Sequence, residues 1–348
     1  MNKILFFIET LENSAGTERI TVDLLNSLYR DGMDVGVLVL SETTDSFFPL
    51  DEGITVYALK SLFASRIKTI LRLRIFLQCN RPKYLVNVGI AIGQVSLPAA
   101  IGLGIKIIGW EHFNLFAGSR LGFYWRLLSA KIVYKTVVLT EKDCRNYQRY
   151  IQADVVNISN FVSRFIDVQA SLDSNIVLTV GRLTFQKGYD LLLNAWAEVI
   201  RQRSDWKLQI VGSGVDEEIL KNQSRSLGLS DSVIFVPNTN QVEQYFRNAS
   251  VYVMSSRFEG MPMVLVEAKM CGLPCVSFNC PNGPEEIIRH SVDGLVVELS
   301  NTEDLAEGIL SLISDRNRLK EFGKKAKVDA LSKYTWKAIR NEWVNLFS

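Results

Sequence analysis

Short runs of β-branched and aromatic residues alternate along this chain with longer stretches in which apolar positions recur every three to four residues. In the first half the runs are KILFFI, DVGVLVL, YLVNVG, IKIIGW, TVVLT and DVVNIS, and helical patterns lie between them at 18–30, 65–78, 94–103, 121–134 and 141–150. This rhythm predicts a parallel, doubly wound α/β sheet. It lapses over the weakly patterned stretch NFVSRFIDVQASLDSN (160–175) and restarts with IVLTVG, WKLQIVG, VIFVP, VYVMS and PCVSF. Helices are expected there over 188–201, 216–227, 241–248 and 262–271. The restart predicts two Rossmann-like domains facing across a cleft, because ligands of such folds sit outside the carboxyl ends of the strands.

Composition narrows the class. With 348 residues, 47% of them hydrophobic, the chain can fill two cores. It contains no apolar run long enough to span a bilayer, and its opening MNKILFFIET passes from Lys to Glu without a small-residue cleavage site. KILFFI therefore reads as a first buried strand. The five cysteines form no CxxC pair and there are only two histidines, which speaks against a disulfide framework or a zinc site and for a reducing compartment. Charge is uneven. The whole chain carries +2, whereas residues 60–150 hold 15 Lys/Arg against 3 Asp/Glu, an excess that calls for an anionic partner.

Two loops carry candidate chemistry. After the restart strand, VGRLTFQKG sets Arg182 and Lys187 on either side of a strand-to-helix turn, where two cations and a helix N-terminus suit one anion. The plainer alternative is a pair of solvated surface charges. After VYVMS, the stretch RFEGMPMVLVEA places Gly260 and Pro262 before a helix whose first amides, those of Met263, Val264 and Leu265, offer a second anion cradle. Glu259 stands just before that helix and Glu267 one turn inside it. A carboxylate accepts two hydroxyl hydrogen bonds, as a vicinal diol of ribose or hexose provides. Cations, helix N-terminus and two such carboxylates together point to a nucleotide sugar.

The segments VGRLTFQKG, VGSG, SSRFEGMPMVLVEAKMCGLPCV and GPEEIIRHSVDGLVV resemble the donor-binding domain of family-4 retaining glycosyltransferases of the GT-B fold, whose hallmark is E-x7-E, matched here by Glu259 and Glu267. The resemblance covers about 178–300 in order and spacing, and the first half more loosely. It implies domains at 1–163 with 334–348 and at 164–333, Glu267 on the ribose diol, Glu259 on the donor hexose, and Arg182 and Lys187 on the pyrophosphate. It also implies a donor-binding glycine in VGSG (Gly212), a base contact near Val236 and Pro237, and backbone contacts from Gly260, Met263, Val264 and Leu265. In the first half NSAGTERI corresponds to a Gly-Gly loop of the family, with Ala15 in place of one glycine and Gly16 and Thr17 as the site residues. GWEHFN corresponds to a segment carrying a histidine beside the donor sugar, here His112. Ala15 is a departure, and costly if the position requires a positive φ.

No Asp-x-Asp triplet occurs, so no metal or other cofactor is expected, with a UDP-sugar as donor. The basic stretch ASRIKTILRLRIFLQCNR and the segment LGFYWRLLSAKIVYK combine cations with apolar residues, and Arg66, Lys68, Arg72, Arg74, Arg126 and Lys131 are assigned to an anionic membrane surface. No nucleic-acid motif is found. The expectation is a retaining hexosyltransferase acting on a lipid-linked saccharide at the cytoplasmic face of the inner membrane, in bacterial surface-polysaccharide or lipopolysaccharide assembly. Alternatives on the same donor site are a nucleotide-sugar epimerase or hydrolase, or a non-catalytic nucleotide-sugar-binding subunit.

Overall fold

The computed structural model describes residues 4–61 and 64–348. Lys3, the first residue of the expected strand KILFFI, lies outside them. The chain separates into two units, one taking in the chain up to Asn160 together with Ile339–Ser348, the other Phe161–Ala338.

In the first unit seven parallel strands, β1 (Ile4–Ile8), β2 (Val35–Val39), β3 (Thr55–Ala58), β4 (Tyr84–Val88), β5 (Lys106–Trp110), β6 (Lys135–Val138) and β7 (Val155–Asn157), run in the order β3-β2-β1-β4-β5-β6-β7. Strands β1, β2 and β4 are buried along their whole length, as expected where helices cover both faces of a parallel sheet. The helices are α1 (Gly16–Arg30), α2 (Arg66–Asn80), α3 (Gly93–Ala100), α4 (Arg120–Ile132) and α5 (Glu141–Tyr150). The connections through α2, α3, α4 and α5 all step the same way across the sheet, and right-handed crossover therefore puts these four helices on one face. Strand order reverses between β1 and β4, so the loops after these strands open where doubly wound sheets bind ligands.

The second unit repeats the plan with six strands, β8 (Ile176–Val180), β9 (Lys207–Val211), β10 (Val233–Val236), β11 (Val251–Met254), β12 (Cys275–Phe278) and β13 (Gly294–Val297), in the order β10-β9-β8-β11-β12-β13. Its reversal falls between β8 and β11, which pair in parallel at Val251↔Val177 and Tyr252↔Leu178. Helices α6 (Tyr189–Gln202), α7 (Glu217–Ser226), α8 (Val242–Asn248), α9 (Met263–Met270), α10 (Pro284–Ile287), α11 (Thr302–Ile313) and α12 (Arg316–Lys333) follow in chain order.

The last helix, α13 (Trp336–Leu346), begins in the second unit and ends in the first. There Trp343 packs edge-on to Trp110 at 5.1 Å, Phe347 packs on Tyr84 at 5.4 Å, and Arg340 pairs with Asp31 at 2.7 Å.

Sequence pattern anticipates most of these elements but not β3, an edge strand of four residues with one exposed and three half-buried positions. It also leaves β13 and α10 to α12 unassigned.

Candidate functional site

Strands β8 and β11 are neighbours at the reversal of the second sheet, and the loops that follow them carry most of the chemistry read from the sequence. After β8 the chain passes Gly181 and exposed Arg182, makes a 3-10 turn at Phe185–Lys187, and enters α6 through Gly188. Gly188 is left-handed (φ +64°), and a Cβ there would lie 2.1 Å from the Ser255 carbonyl oxygen, so only glycine lets the two loops touch. Gly212, at the end of β9, has φ +147°, and a Cβ on it would lie 2.0 Å from the Gly181 carbonyl oxygen. Its place in the sequence pattern thus reflects close backbone approach beside the loop.

The loop after β11 lies directly against this turn. Ser255 Oγ donates to the Lys187 carbonyl at 2.9 Å, and the Arg257 amide donates to the Gln186 carbonyl at 2.8 Å. Lys187 Nζ donates to Glu259 Oε1 at 2.7 Å, and Gln186 Nε2 reaches Glu259 Oε2 at 3.4 Å. The structure therefore joins Lys187 to Glu259, while Arg182 stands apart on the surface. Gly260 is half-buried in the same loop.

Pro262 is the N-cap of α9, and Met263, not Pro262, is its first helical residue. Of the three amides expected to be free, Leu265 is not: it donates to the Pro262 carbonyl at 3.0 Å, closing the first turn. Met263 and Val264 are the amides that helix geometry leaves without an intrahelical acceptor. Glu267 is buried one turn further on. Two buried tyrosines feel these carboxylates. Burial first, and behind it the charge of Glu259, pushes the Tyr189 phenol up; Tyr252 is pushed up by burial, with neighbouring Tyr189 and Glu267 adding to it. Lys269, wholly buried on α9, donates to Asp293 at 3.2 Å, to Asp329 at 2.8 Å and to the Ile287 carbonyl, which fastens α9 to the elements behind it.

Val236 is half-buried and its carbonyl already accepts from the Gly212 amide at 2.9 Å. The base contact read onto Val236 and Pro237 therefore has less backbone to draw on than expected. Pro237, which lacks an amide, is exposed.

In the first unit, Gly16 and Thr17 open α1 directly after the β1 loop. Ala15 is the N-cap at φ −88°, in extended backbone, so the cost attached to a positive φ does not arise. His112 follows β5. Its ring lies 4.4 Å from that of Trp110, and its Nε2 is buried with no hydrogen-bond partner among the described residues. Burial lowers its pKa to about 3, so the imidazole is neutral at physiological pH.

Its neighbour Glu111 was not singled out by sequence. The Glu111 carboxylate accepts from the His112 amide at 3.0 Å, the Phe113 amide at 3.1 Å and Arg126 Nε at 3.1 Å. Burial raises its pKa to about 6 against the pull of Arg126.

That pair corrects the surface assignment. Arg126 is turned inward to Glu111 and to the Ala117 carbonyl at 2.6 Å. Arg74 donates to the Ala99 and Ile101 carbonyls at 3.1 and 2.8 Å, and Arg72 to the Lys60 carbonyl and, at 3.2 Å, the Ser61 hydroxyl. Arg126 and Arg74 thus serve the fold, because a guanidinium can collect carbonyls that a helix end or loop leaves unpaired. Arg66, Lys68, Arg72 and Lys131 are exposed. Beside them Ile67, Leu71 and Ile75 on α2 and Leu121, Tyr124, Leu128 and Ile132 on α4 are exposed too, Leu121 to 82%. Among the described residues no helix is long and apolar enough to cross a membrane.

Comparison with known proteins places this geometry. Residues 164–329 match the family model described as glycosyl transferases group 1. An uncharacterized glycosyltransferase of Haemophilus influenzae is 34% identical over 99% of both chains. An alpha-1,4-N-acetyl-D-galactosaminyltransferase of Campylobacter jejuni, whose name gives a saccharide on PP-undecaprenol as its substrate, is 27% identical over 100% of this chain and 99% of its own. Among solved structures, a variant of Staphylococcus aureus TarM in complex with Fondaparinux, alpha-GlcNAc-glycerol and UDP superposes with a TM-score of 0.85 at 16% identity, covering 100% of both chains.

Proposed function

The chain belongs to the group 1 glycosyl transferases, enzymes of the GT-B fold that use nucleotide-sugar donors, and from that premise we propose a retaining transfer of a hexose or N-acetylhexosamine from a UDP-sugar to a lipid-linked saccharide. The observation that carries this reading is the 2.7 Å contact between Lys187 and Glu259 across the two loops at the sheet reversal. It brings a cation suited to a diphosphate within one hydrogen bond of a carboxylate suited to a sugar diol.

On donor entry Lys187 exchanges Glu259 for the diphosphate, with Arg182 and the first amides of α9 as further partners, and Glu259 turns to hexose hydroxyls. Glu267 takes the ribose diol. His112, neutral, offers a hydrogen bond to a sugar hydroxyl, and Gly16 and Thr17 belong to the phosphate side. As the anomeric C–O bond breaks, charge grows on the departing diphosphate, where Lys187 and Arg182 stabilise it. The acceptor oxygen bonds to the anomeric carbon on the same face, and its proton passes to the leaving phosphate. These cations supply the charge stabilisation, and we read no metal into the step; a chelator should leave the rate unchanged.

The acceptor and setting in this reading, a lipid-linked saccharide in bacterial surface-polysaccharide or lipopolysaccharide assembly, draw support from the named substrate of the Campylobacter relative. Peripheral attachment at the cytoplasmic membrane face is assigned to the outer surface of α2 and α4, where Arg66, Lys68 and Lys131 accompany exposed apolar side chains and neither helix carries a carboxylate.

The test is calorimetry with UDP, GDP and their sugars, followed by transfer assays with lipid-linked acceptors. Selective binding of UDP-sugars, weakened in Glu267→Ala, and sugar transfer to a lipid-linked saccharide are expected. Binding of no nucleotide sugar, or an affinity unchanged in that variant, would overturn the assignment of the donor site.

A further inference from the structure

The turn that presents Lys187 closes on itself through two short bonds, the Lys187 amide to the Thr184 carbonyl at 2.9 Å and the Gly188 amide to the Phe185 carbonyl at 3.3 Å, and is gripped from outside as well. Its three successive carbonyls each accept a bond from the loop after β11: Phe185 O from Arg257 Nη1 at 2.8 Å, Gln186 O from the Arg257 amide at 2.8 Å, and Lys187 O from Ser255 Oγ at 2.9 Å. The same guanidinium forms a bidentate pair with Asp190 in the first turn of α6, at 2.8 and 2.7 Å, and lies 4.1 Å over the Phe185 ring. Arg257 therefore grips the turn from both ends, with a planar fork that a lysine cannot reproduce.

We infer that Arg257, locked to Asp190, is a positioning residue of the donor site: it sets the backbone from which Lys187 reaches its anion and is not itself a phosphate ligand. A cation two residues from Glu259 invites the opposite reading. Against it stand the carboxylate of Asp190 and the Phe185 carbonyl, which already claim both N–H donors of Nη1 and one of the two on Nη2. The pairing holds the Asp190 carboxyl below its ordinary range, chiefly through hydrogen bonding to Arg257. Breaking either partner should free the turn, and Lys187 should then lose its fixed reach.

This inference rests on the proposed role of Lys187, and the test separates the two. In the ligand-free protein, the rate of Lys187 acetylation is followed by peptide mass spectrometry in wild type, Arg257→Gln and Asp190→Asn, with melting temperatures as a check on folding. A brace predicts that both variants raise Lys187 labelling severalfold while lysines elsewhere, such as Lys131, label as before. Unchanged labelling of Lys187 in folded variants would overturn it, whether or not any donor binds.

The second arm is a cycle on UDP-sugar affinity. Arg257→Gln and Asp190→Asn should each weaken binding about tenfold alone and by less than twofold in a Lys187→Met background, because the effect acts through Lys187. Additive losses, or tighter binding in Asp190→Asn as expected of an unmasked phosphate ligand, would overturn the brace. Failure of the wild type to bind any nucleotide sugar would end the functional reading alone, and the brace would stand or fall on the labelling.

Discussion

In each unit a buried glutamate meets a cation, Glu111 with Arg126 and Glu259 with Lys187, and the two pairs look alike until the elements they join are compared. Glu111 is held by the amides of the next two residues as well as by the guanidinium. Every contact is local to its loop and to α4, so the pair ties that loop to the helix. Among the partners of Glu259 are the tips of two long side chains, Lys187 and Gln186, reaching over from a loop that is itself braced. Those tips can turn away while the backbone stays. A buried carboxylate thus works as a rivet where main-chain amides of its own loop hold it, and as a latch where it meets the movable tips of side chains on a fixed neighbour.

The most forceful way to break the comparison is to remove the cation from the rivet. Arg126→Leu strands a buried carboxylate, and a stability loss of about 3–5 kcal/mol is expected in urea unfolding. A loss below about 1 kcal/mol would mean that the amides alone hold Glu111. The matching change in the latch, Lys187→Met, should instead act on catalysis. The loss of one charge-assisted bond, about 1.5–3 kcal/mol, lowers kcat/KM about 10- to 150-fold, with a shift in melting temperature smaller than that of Arg126→Leu. Equal stability losses in the two variants would erase the distinction.

Acidity sharpens the first half of it. Glu111 has a folded pKa of about 6 against an ordinary 4.5, so the native state holds the extra proton and stability falls as pH rises from about 4.5 to 6. His112 has a folded pKa of about 3 against 6.5, so the unfolded chain holds the extra proton and stability rises with pH over that range. Each contributes at most about 1.4 kcal/mol per pH unit. Between pH 4.5 and 6 the two oppose each other and nearly cancel. Glu111→Gln should therefore make stability climb through this window, and His112→Asn should make it fall; identical slopes in wild type and both variants would remove the assignment. The smallest expected effect separates Arg126 from the surface cations. Lys131→Ser should weaken binding to anionic vesicles by about 1 kcal/mol, roughly fivefold, and an unchanged affinity would take Lys131 out of the membrane surface.

The contrast also marks what the sequence discloses. The paired rhythm of strands and helices survives translation into structure because buried parallel strands need continuous apolar runs. Strand β3 escaped because four edge residues, none of them buried, carry little pattern. Lys187 and Glu259 are legible from their position after strands and before helices, whereas their contact joins residues 72 apart in sequence. Arg257 and Asp190 are equally far from each other's local context, and nothing in RFEG or KGYD alone tells a brace from a surface charge. Arg126 was misread for the same reason: within FYWRLL its partner Glu111, 15 residues earlier, is invisible.

The return of the chain at α13 bears on how the protein is made. Ile339, Trp343, Leu346 and Phe347 are buried in the first unit's core, yet a ribosome delivers them only after all of the second unit. The earlier-born unit must wait with Trp110 and Tyr84 uncovered while the later-born one already has its whole sheet. Vectorial synthesis therefore reverses the order of completion, and the interval before residues 339–348 emerge is when a nascent chain of this design most needs a chaperone.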